Sequence, residues 1–143
     1  MIEYQKILDK NMLNVLKDIL KNIKDNGLSN NNHLYITFLT NHKNVELPNW
    51  LKQKYPQEMT IIIQYEYYDL EINKNDFSIT LSFGDIKTNL KINYNAIVSF
   101  ADPSANFGLI LQKSNIRNKE NKKLENNKSK KDNVINFSNY KKN

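Results

Sequence analysis

The side chains that most often perform chemistry in proteins are few in this 143-residue sequence, and they are widely spaced. There is no Cys, which excludes thiol nucleophiles, disulfides and thiolate metal sites. The two histidines, His33 and His42, each lie at the end of a predicted strand or in a loop, and neither has Asp, Glu or His at metal-ligand spacing. A surface or structural histidine is therefore expected at both positions.

Paired carboxylates and phosphate-binding loops are the other arrangements that would indicate catalysis. Asp69 and Glu71 share a predicted strand face and Asp76 follows, but no further group converges on them, which favours a solvated strand edge. The three glycines, at positions 27, 84 and 108, are too far apart for a phosphate-binding loop. The sequence therefore predicts a protein that is not an enzyme and that uses no cofactor or metal ion.

The excess of positive over negative charge lies in one segment of the chain. Residues 113–143 hold 10 basic and three acidic residues, a net charge of +7, whereas residues 1–112 hold 11 basic and 12 acidic residues, a net charge of −1. A nucleic-acid module usually carries its positive charge on the folded domain, so nucleic acid is not the expected partner. An RNA-binding small β-barrel protein with a basic tail is the alternative, in which the tail makes salt-sensitive contacts.

The basic segment has two parts. Residues 113–133 are mostly Lys, Asn and Glu and have little apolar surface to bury, which predicts a flexible linker. A cluster of apolar and basic residues follows within 134–143, formed by Val134, Ile135, Phe137, Tyr140, Lys141 and Lys142. Such a cluster on an unfolded segment gains a buried surface only on a partner.

The first element that would position a site is a helix over residues 2–26, with Asn26-Gly27 as its stop. Its apolar residues span about 180° of the helical wheel, whereas packing on one core needs about 100°. The extra width favours a homodimer, with an interface assigned to Met12, Val15, Leu16 and Ile19. A helix that lies deeper in its own domain is the alternative.

Short strands follow the helix. "HLYITFLT" places Leu34, Ile36 and Phe38 on one face, and "DFSITLSF" alternates apolar and polar residues before a two-residue "GD" turn. "LPNWLKQKY" predicts a short helix or turn, and "EMTIIIQYEYYDLEI" predicts one long strand or two strands joined by a bulge. The fold class predicted is α+β: an N-terminal helix, a small antiparallel β-barrel-like domain and a disordered C-terminal tail.

The aromatic residues are expected to have structural roles. Trp50, Tyr65, Tyr67 and Tyr68 are predicted to fill the core or to pair across strands, because acidic residues beside the tyrosines would repel a phosphate backbone. No apolar run approaches the roughly 20 residues of a membrane span. The first residues also lack the basic-then-apolar order of a signal peptide, so a cytoplasmic protein with no membrane partner is expected.

Several short motifs occur in an order that resembles a known family. They are "LPNWL", "YPQEMTI", "DL" at 69–70, "FSITLSFG" and "FADPSANFGL". Together with the N-terminal helix, residues 4–112 resemble the stringent starvation protein B (SspB) family in its alphaproteobacterial form. Lys43-Asn44 stands where relatives often have Pro-Gly, and Tyr67-Tyr68 stands where Phe-Trp is common.

The resemblance implies a proteolysis adaptor. Members of the family bind the ssrA degradation-tag peptide and deliver tagged chains to the ClpXP protease, and they dimerise through the N-terminal helix. Residues 1–112 would then form the tag-binding and dimerisation domain. The candidate tag-binding residues are Phe38, Thr40, Phe83, Gly84, Phe100, Ala101, Asp102 and Phe107. An extended peptide would bind there through backbone hydrogen bonds and shallow pockets.

Residues 134–142 resemble the short ClpX-docking motif that follows the linker in this family. The apolar and basic positions match, with Phe137 in place of Leu, Tyr140 in place of Phe and Ser138 in place of the usual Asp. The resemblance implies that residues 113–133 tether the docking motif to the tag-binding domain, and that ClpX and ssrA-tagged polypeptides are the partners.

Overall fold

The computed structural model describes residues 1–29 and 31–111. The predicted linker and docking segment, 113–133 and 134–143, lie outside the described residues, so the division of the chain into these parts stays a prediction. The elements, in chain order, are α1 (Tyr4–Asn26), β1 (Leu34–Leu39), α2 (Asn49–Lys54), β2 (Glu58–Ile63), β3 (Tyr68–Ile72), β4 (Asp76–Phe83), β5 (Ile86–Asn93), β6 (Ile97–Asp102) and β7 (Phe107–Ile110).

Helix α1 forms where the sequence predicts it. Its buried face carries apolar residues at helical spacing, Met12, Leu16, Leu20 and Ile23. The helix ends at Gly27, whose φ of 79° is in the left-handed region and whose N–H donates to the carbonyl of Ile23 at 2.8 Å.

The strands form two antiparallel sheets. Sheet A has the order β2-β1-β6-β7 and sheet B has the order β3-β4-β5. The α+β class and the antiparallel arrangement are confirmed, but the two sheets do not close into a barrel as the sequence analysis expected. The expectation for "EMTIIIQYEYYDLEI" is also wrong in part, because β2 and β3 belong to different sheets and residues 64–67 carry the chain between them.

The core lies where α1 and the inner faces of the two sheets meet. Strand β1 alternates as predicted, with Leu34, Ile36 and Phe38 buried. Sheet B contributes Phe77, Ile79, Leu90 and Ile92, which are fully buried. Strands β4 and β5 are joined by Gly84-Asp85, since Phe83 pairs directly with Ile86, which confirms the two-residue turn.

Two lysine side chains on one flank of α1 form hydrogen bonds with the sheet B side of the domain. The ammonium group of Lys24 donates to the carbonyl of Leu70 at 2.7 Å and lies 3.4 Å from the carboxylate of Glu71. The ammonium group of Lys17 donates to the carbonyl of Lys74 at 3.3 Å. At 100° per residue, Val15 and Ile19 lie on the flank roughly opposite these lysines, so that flank faces away from β3.

Candidate functional site

The described residues offer binding surfaces rather than a cluster of reactive groups. Within residues 1–29 and 31–111, no group of three or more His, Cys, Asp or Glu could hold a metal ion. No helix of this region is both long enough and apolar enough to cross a membrane. One pKa is clearly displaced: burial, together with nearby Asp76, raises the pKa of Tyr94 to about 12. Tyr94 belongs to the core.

Three of the residues predicted to bind the tag lie inside sheet A. Phe38 and Phe100 are 0% and 1% exposed, on the two central strands, and they are part of the hydrophobic core. Ala101 is 2% exposed and pairs with Tyr35 on one side and Gly108 on the other. Their side chains support the sheet and present almost no surface to a peptide.

Thr40 is also buried, and its hydrogen bonds have a structural role. Its hydroxyl donates to the carbonyl of Tyr55 at 2.5 Å, and its backbone N–H donates to the carbonyl of Gln57 at 3.0 Å. These bonds fix the end of β1 to the segment that follows α2. Satisfying the buried hydroxyl in this way avoids the cost of an unpaired polar group.

Phe83 and Gly84 belong to an apolar surface at the β4–β5 turn. The ring of Phe83 meets the ring of Trp50, on α2, edge to face, with centroids 6.3 Å apart and planes at 82°. Ile86 lies directly across the hairpin from Phe83 and is 57% exposed, while Trp50 is 41% exposed. We call Trp50, Phe83, Gly84 and Ile86 the hairpin patch.

An open strand edge runs beside the hairpin patch. Lys91 of β5 exchanges two backbone hydrogen bonds with Glu46, at 2.8 and 3.0 Å, so its N–H and C=O point away from β4. Backbone groups alternate along a strand, so the N–H and C=O of Asn89 and Lys87 point the same way. Within the described chain, no strand pairs with β5 at these two positions.

Asp102 and Phe107 line a different surface, a groove of about 650 Å³ between α1 and the β6–β7 end of sheet A. We call this surface the helix groove. Its apolar walls come from the outer flank of α1, the loop after it and the edge of the sheet, and include Val15, Ile19, Ile23, Leu28, Leu34 and Phe107. Two carboxylates, those of Asp18 and Asp102, are the only charged groups that line the groove in the described structure.

The walls of the helix groove are well fixed. The carboxylate of Asp102 accepts from the side-chain amide of Asn32 at 2.7 Å, and from the N–H and hydroxyl of Ser104 at 3.1 and 2.6 Å. The ring of Phe107 lies 6.1 Å from that of Phe100, which anchors it to the core.

The predicted tag-binding residues therefore do not form one site. In the antiparallel β1–β6 pair, Tyr35 lies opposite Ala101 whereas Phe38 lies opposite Ile97, so Asp102 and Thr40 are near opposite ends of β1. Phe83 and Gly84 are on the other sheet. Trp50 and Ile86 are absent from the predicted set. Trp50 was expected to fill the core or to pair across strands. The only sequence signal for Ile86 is a large apolar residue directly after a turn.

The four residues assigned to a dimer interface separate by burial. Met12 and Leu16 point into the core of the same chain, so they have little surface left for a second copy. Val15 is 39% exposed and Ile19 is half-buried. Nearer the N-terminus of the same helix, Tyr4, Ile7 and Leu8 are exposed apolar residues. The wide apolar face thus consists of a buried stripe and an adjoining exposed stripe.

A helix packed across two antiparallel sheets, with two exposed apolar surfaces, is an α+β domain suited to binding rather than to reaction chemistry. The family model for stringent starvation protein B (SspB) matches residues 7–143. The chain therefore belongs to the SspB family, which is a family of ClpXP protease adaptors and not a family of enzymes. No curated protein matches the chain.

Proposed function

We propose that this chain is a cytoplasmic homodimeric adaptor that binds ssrA-type degradation-tag peptides and tethers tagged substrates to the ClpXP protease. Membership of the SspB family over residues 7–143 is the observation that carries the proposal. The hairpin patch beside an open strand edge supports it, because extended peptides bind to such edges through their backbone and place side chains in neighbouring pockets.

The β5 edge supplies the backbone contacts in this proposal. An extended peptide beside β5 would exchange hydrogen bonds with the N–H and C=O groups of Lys87 and Asn89. It would run beside the hairpin on the same side of β5 that Glu46 pairs with at Lys91. Such contacts read the shape of a backbone and are indifferent to most side chains, which suits a tag carried by many different substrates.

The hairpin patch supplies side-chain contacts. Trp50 and Ile86 together expose a large apolar area, and burying apolar surface stabilises a complex by about 25 cal/mol per Å². Gly84 has a φ of 66° and nothing lies within 4 Å of the position of a side chain there, so the turn leaves room for a peptide to approach. The ring of Phe83 packs edge to face against the ring of Trp50 and supports its position.

The exposed stripe of α1 supports the homodimer. Tyr4, Leu8 and Val15 fall within about 40° of one another on the helical wheel, and all three are exposed in the single chain. A two-fold symmetric pair would place the same stripe of two helices in contact. In this arrangement the N-terminal half of α1 forms the centre of the interface, and Met12 and Leu16 support it from the core.

The link to the protease rests on residues 134–143, which lie outside the described residues. Their apolar and basic pattern resembles the family's ClpX-docking motif, and a dimer would carry two copies of it. Two weak contacts on one protease raise the effective concentration of the tagged substrate there.

The test is degradation of an ssrA-tagged reporter by ClpXP, with the full chain and with residues 134–143 deleted. We expect the full chain to accelerate degradation at substrate concentrations below the KM of the protease. The truncated chain should bind the tag peptide with unchanged affinity, measured by fluorescence anisotropy, and should no longer accelerate degradation. Equal acceleration by both forms would refute the tether. Unchanged peptide binding in variants of the hairpin patch would refute the proposed tag-binding surface.

A further inference from the structure

We infer that strand β2 is a second peptide-binding edge, which pairs with extended, uncharged, β-branched segments of incompletely folded polypeptides. Such a segment would add a strand to sheet A beside Thr60 and Ile62. The contact itself depends only on β2, whereas its meaning for the choice of substrates rests on the proposed function.

The outward side of β2 carries backbone groups with no strand beside them. The N–H of Thr40 donates to the carbonyl of Gln57 at 3.0 Å, so the backbone groups of Gln57 point towards β1. Backbone groups alternate along a strand, so those of Thr60 and Ile62, three and five residues later, point away from β1. Strand β2 is at the end of sheet A, and none of the described strands lies on this side of it.

The side chains along this edge are uncharged. Residues 59–63 read Met-Thr-Ile-Ile-Ile, four of which are β-branched. Thr60 and Ile62 are exposed, and Thr37 and Tyr35, which lie opposite them on β1, are half-buried. The hydroxyls of Thr37 and Thr60 share a hydrogen bond of 2.7 Å. A segment of Thr, Val or Ile would continue this uncharged face through cross-strand pairs.

The other strand edges of the described domain are interrupted, partly paired or short. In β3 the register shifts between Tyr68 and Glu71, and Asp69 has a φ of 53°, in the left-handed region. Strand β5 pairs with Glu46 near its C-terminal end, and β7 has only four residues. Sheets usually protect an edge with a charge, a proline or a bulge, because an open edge pairs with other strands. Residues 59–63 have none of these features, which indicates a partner for this edge.

A second copy of the chain is a poorer occupant of the β2 edge. In the proposed function each chain already dimerises through the exposed stripe of α1. A further symmetric contact through β2 would link every dimer to two others and build an open-ended assembly. The exposed flank of α1 faces the β6–β7 end of sheet A, and β2 lies on the other side of β1. Dimerisation through α1 therefore leaves the β2 edge open.

The position of β2 suits a segment that is attached to a bound tag. Trp50 of the hairpin patch is on α2, and β2 begins eight residues later at Glu58, so the two are at most about 29 Å apart. About ten extended residues cover that distance. A tagged chain that has not folded can supply them, and a folded one cannot. The two contacts on one chain would reinforce each other and favour incompletely folded substrates.

An NMR titration of the isotope-labelled full chain tests the contact. The probe is an untagged peptide of six alternating Thr and Val residues with one Lys at each end for solubility. We expect saturable shifts of the amide signals of Thr60 and Ile62. The matched probe carries N-methyl groups on two adjacent central residues, so each of its edges loses a donor, and it should bind at least about fivefold more weakly. Equal binding of the two probes, or no saturable shift at Thr60 and Ile62 at millimolar peptide, would overturn the inference.

Substitutions at Thr60 locate the contact on the backbone. Thr60→Pro removes an N–H that points away from β1, so the β1–β2 ladder should survive. Thr60→Ala keeps the N–H, and both variants lose the hydrogen bond to the hydroxyl of Thr37. We expect the proline variant to bind the unmethylated probe about fivefold more weakly and the alanine variant to bind it normally. If circular dichroism shows the proline variant unfolded, Ile62→Lys, which places a charge on the edge, should weaken binding several-fold instead. Normal binding by a folded Thr60→Pro, or by Ile62→Lys, contradicts the inference.

A tagged probe separates this inference from the proposed function. The Thr-Val segment is joined through about ten Gly and Ser residues to the N-terminus of the tag peptide, and its affinity is compared with that of the tag peptide alone. The extension should tighten binding several-fold, Thr60→Pro should abolish this gain, and the tag peptide alone should bind both forms equally. No gain from the extension refutes only the inference, whereas shifts at Thr60 without any tag binding refute only the proposed function. Assembly beyond a dimer that Thr60→Pro abolishes, measured by sedimentation, would assign the edge to a second copy.

Discussion

The hairpin patch and the helix groove are both apolar, but they differ in what they can recognise. The hairpin patch combines two large exposed side chains with an open strand edge, so it can read a peptide backbone. The helix groove is lined mainly by residues of α1, the loop after it and the ends of strands, and it offers apolar walls and two carboxylates. The first suits a peptide of extended shape, and the second suits apolar side chains accompanied by positive charge.

This difference has a structural origin. Phe83 and Ile86 belong to the inner face of sheet B, but they lie at its two-residue turn, at the end of the sheet. There they lie next to Trp50 of α2. Lys24, on one flank of α1, is hydrogen-bonded to β3. The other flank of α1 therefore faces the β6–β7 end of sheet A, and the groove lies between them. One surface is thus an extension of a sheet, and the other is a gap between layers.

The largest effect on this comparison is expected from Trp50→Ala. Trp50 is the largest exposed apolar side chain of the hairpin patch, and truncating such an anchor typically costs about 2 kcal/mol of binding free energy, roughly 30-fold in affinity. Fluorescence anisotropy with a labelled tag peptide would measure the change. Tyr65→Ala, at an aromatic residue outside both surfaces that is 74% exposed, is the matched control and should have no effect. A similar loss in both variants would show that the patch has no special role.

The contrast between predicted and observed residues shows what sequence patterns can specify. The burial of Leu34, Ile36 and Phe38, the stop at Gly27 and the Gly84-Asp85 turn follow from local periodicity and turn chemistry, and the structure confirms them. Periodicity cannot tell which sheet a strand joins, so the sequence predicts β2 and β3 as one long strand or as two strands joined by a bulge, whereas they belong to different sheets.

The candidate site was harder to predict, because a surface is made by residues distant in sequence. Phe38, Phe100 and Phe83 are all phenylalanines in predicted strands. Only the folded structure shows that the first two are buried in the core and that Phe83 lies at the surface patch. Trp50 reaches the patch through the packing of α2 against the hairpin, which no spacing rule reveals. The width of the apolar face of α1 was visible in the sequence, but its division into a buried and an exposed stripe was not.

A second substitution, Leu8→Asp, tests the dimer interface without altering the helix groove. Leu8 is 46% exposed and lies on the N-terminal half of α1, outside the groove lining. Leu8→Asp would place two like charges near each other across a symmetric interface, and we expect dimerisation to weaken at least about tenfold, at 1.4 kcal/mol for each factor of ten. Sedimentation or light scattering across a concentration series would measure it.

The control for this change is Lys10→Asp, which alters the charge of an exposed residue on the opposite side of the same helix half. It should leave the dimer intact. If Leu8→Asp leaves the dimer intact as well, the interface lies elsewhere, and the helix groove becomes the first region to test for a second copy.

A smaller effect is expected from changing one backbone group of the β5 edge. Asn89→Pro removes an N–H that points away from β4, so the β4–β5 ladder should survive while one hydrogen bond to the peptide is lost. A hydrogen bond contributes about 1 kcal/mol, so affinity for the tag peptide should fall about fivefold.

Asn89→Ala is the matched control for that change. Both variants lose the side-chain hydrogen bond from Asn89 to the hydroxyl of Thr80, at 3.0 Å, but only the proline variant loses the backbone N–H. The alanine variant should bind the peptide as the unchanged chain does. If both variants bind normally and circular dichroism shows both folded, the peptide does not pair with β5, and recognition depends on side chains alone.

The smallest effect is expected from a change in the core between the two surfaces, which should lower stability without changing the affinity of either surface. Tyr94 is buried, its hydroxyl donates to the carbonyl of Asn73 at 3.2 Å, and its ring stacks on Phe77 with centroids 6.1 Å apart. Tyr94→Phe should lower the free energy of unfolding by about 1 kcal/mol near neutral pH, because one buried hydrogen bond is lost. Binding of the tag peptide should not change.

The same residue predicts a pH dependence with a definite sign. Burial, and then the charge of Asp76, raise the pKa of Tyr94 to about 12, above the ordinary value of 10.0. The folded state therefore holds this proton more tightly than the unfolded state, so its contribution to stability is complete below pH 10 and is lost as the pH rises towards 12. Urea unfolding at a series of pH values should show a shallower decline for Tyr94→Phe than for the unchanged chain in this window. Parallel declines would mean that deprotonation of Tyr94 makes no contribution to the pH dependence and that the phenol is not shielded from water.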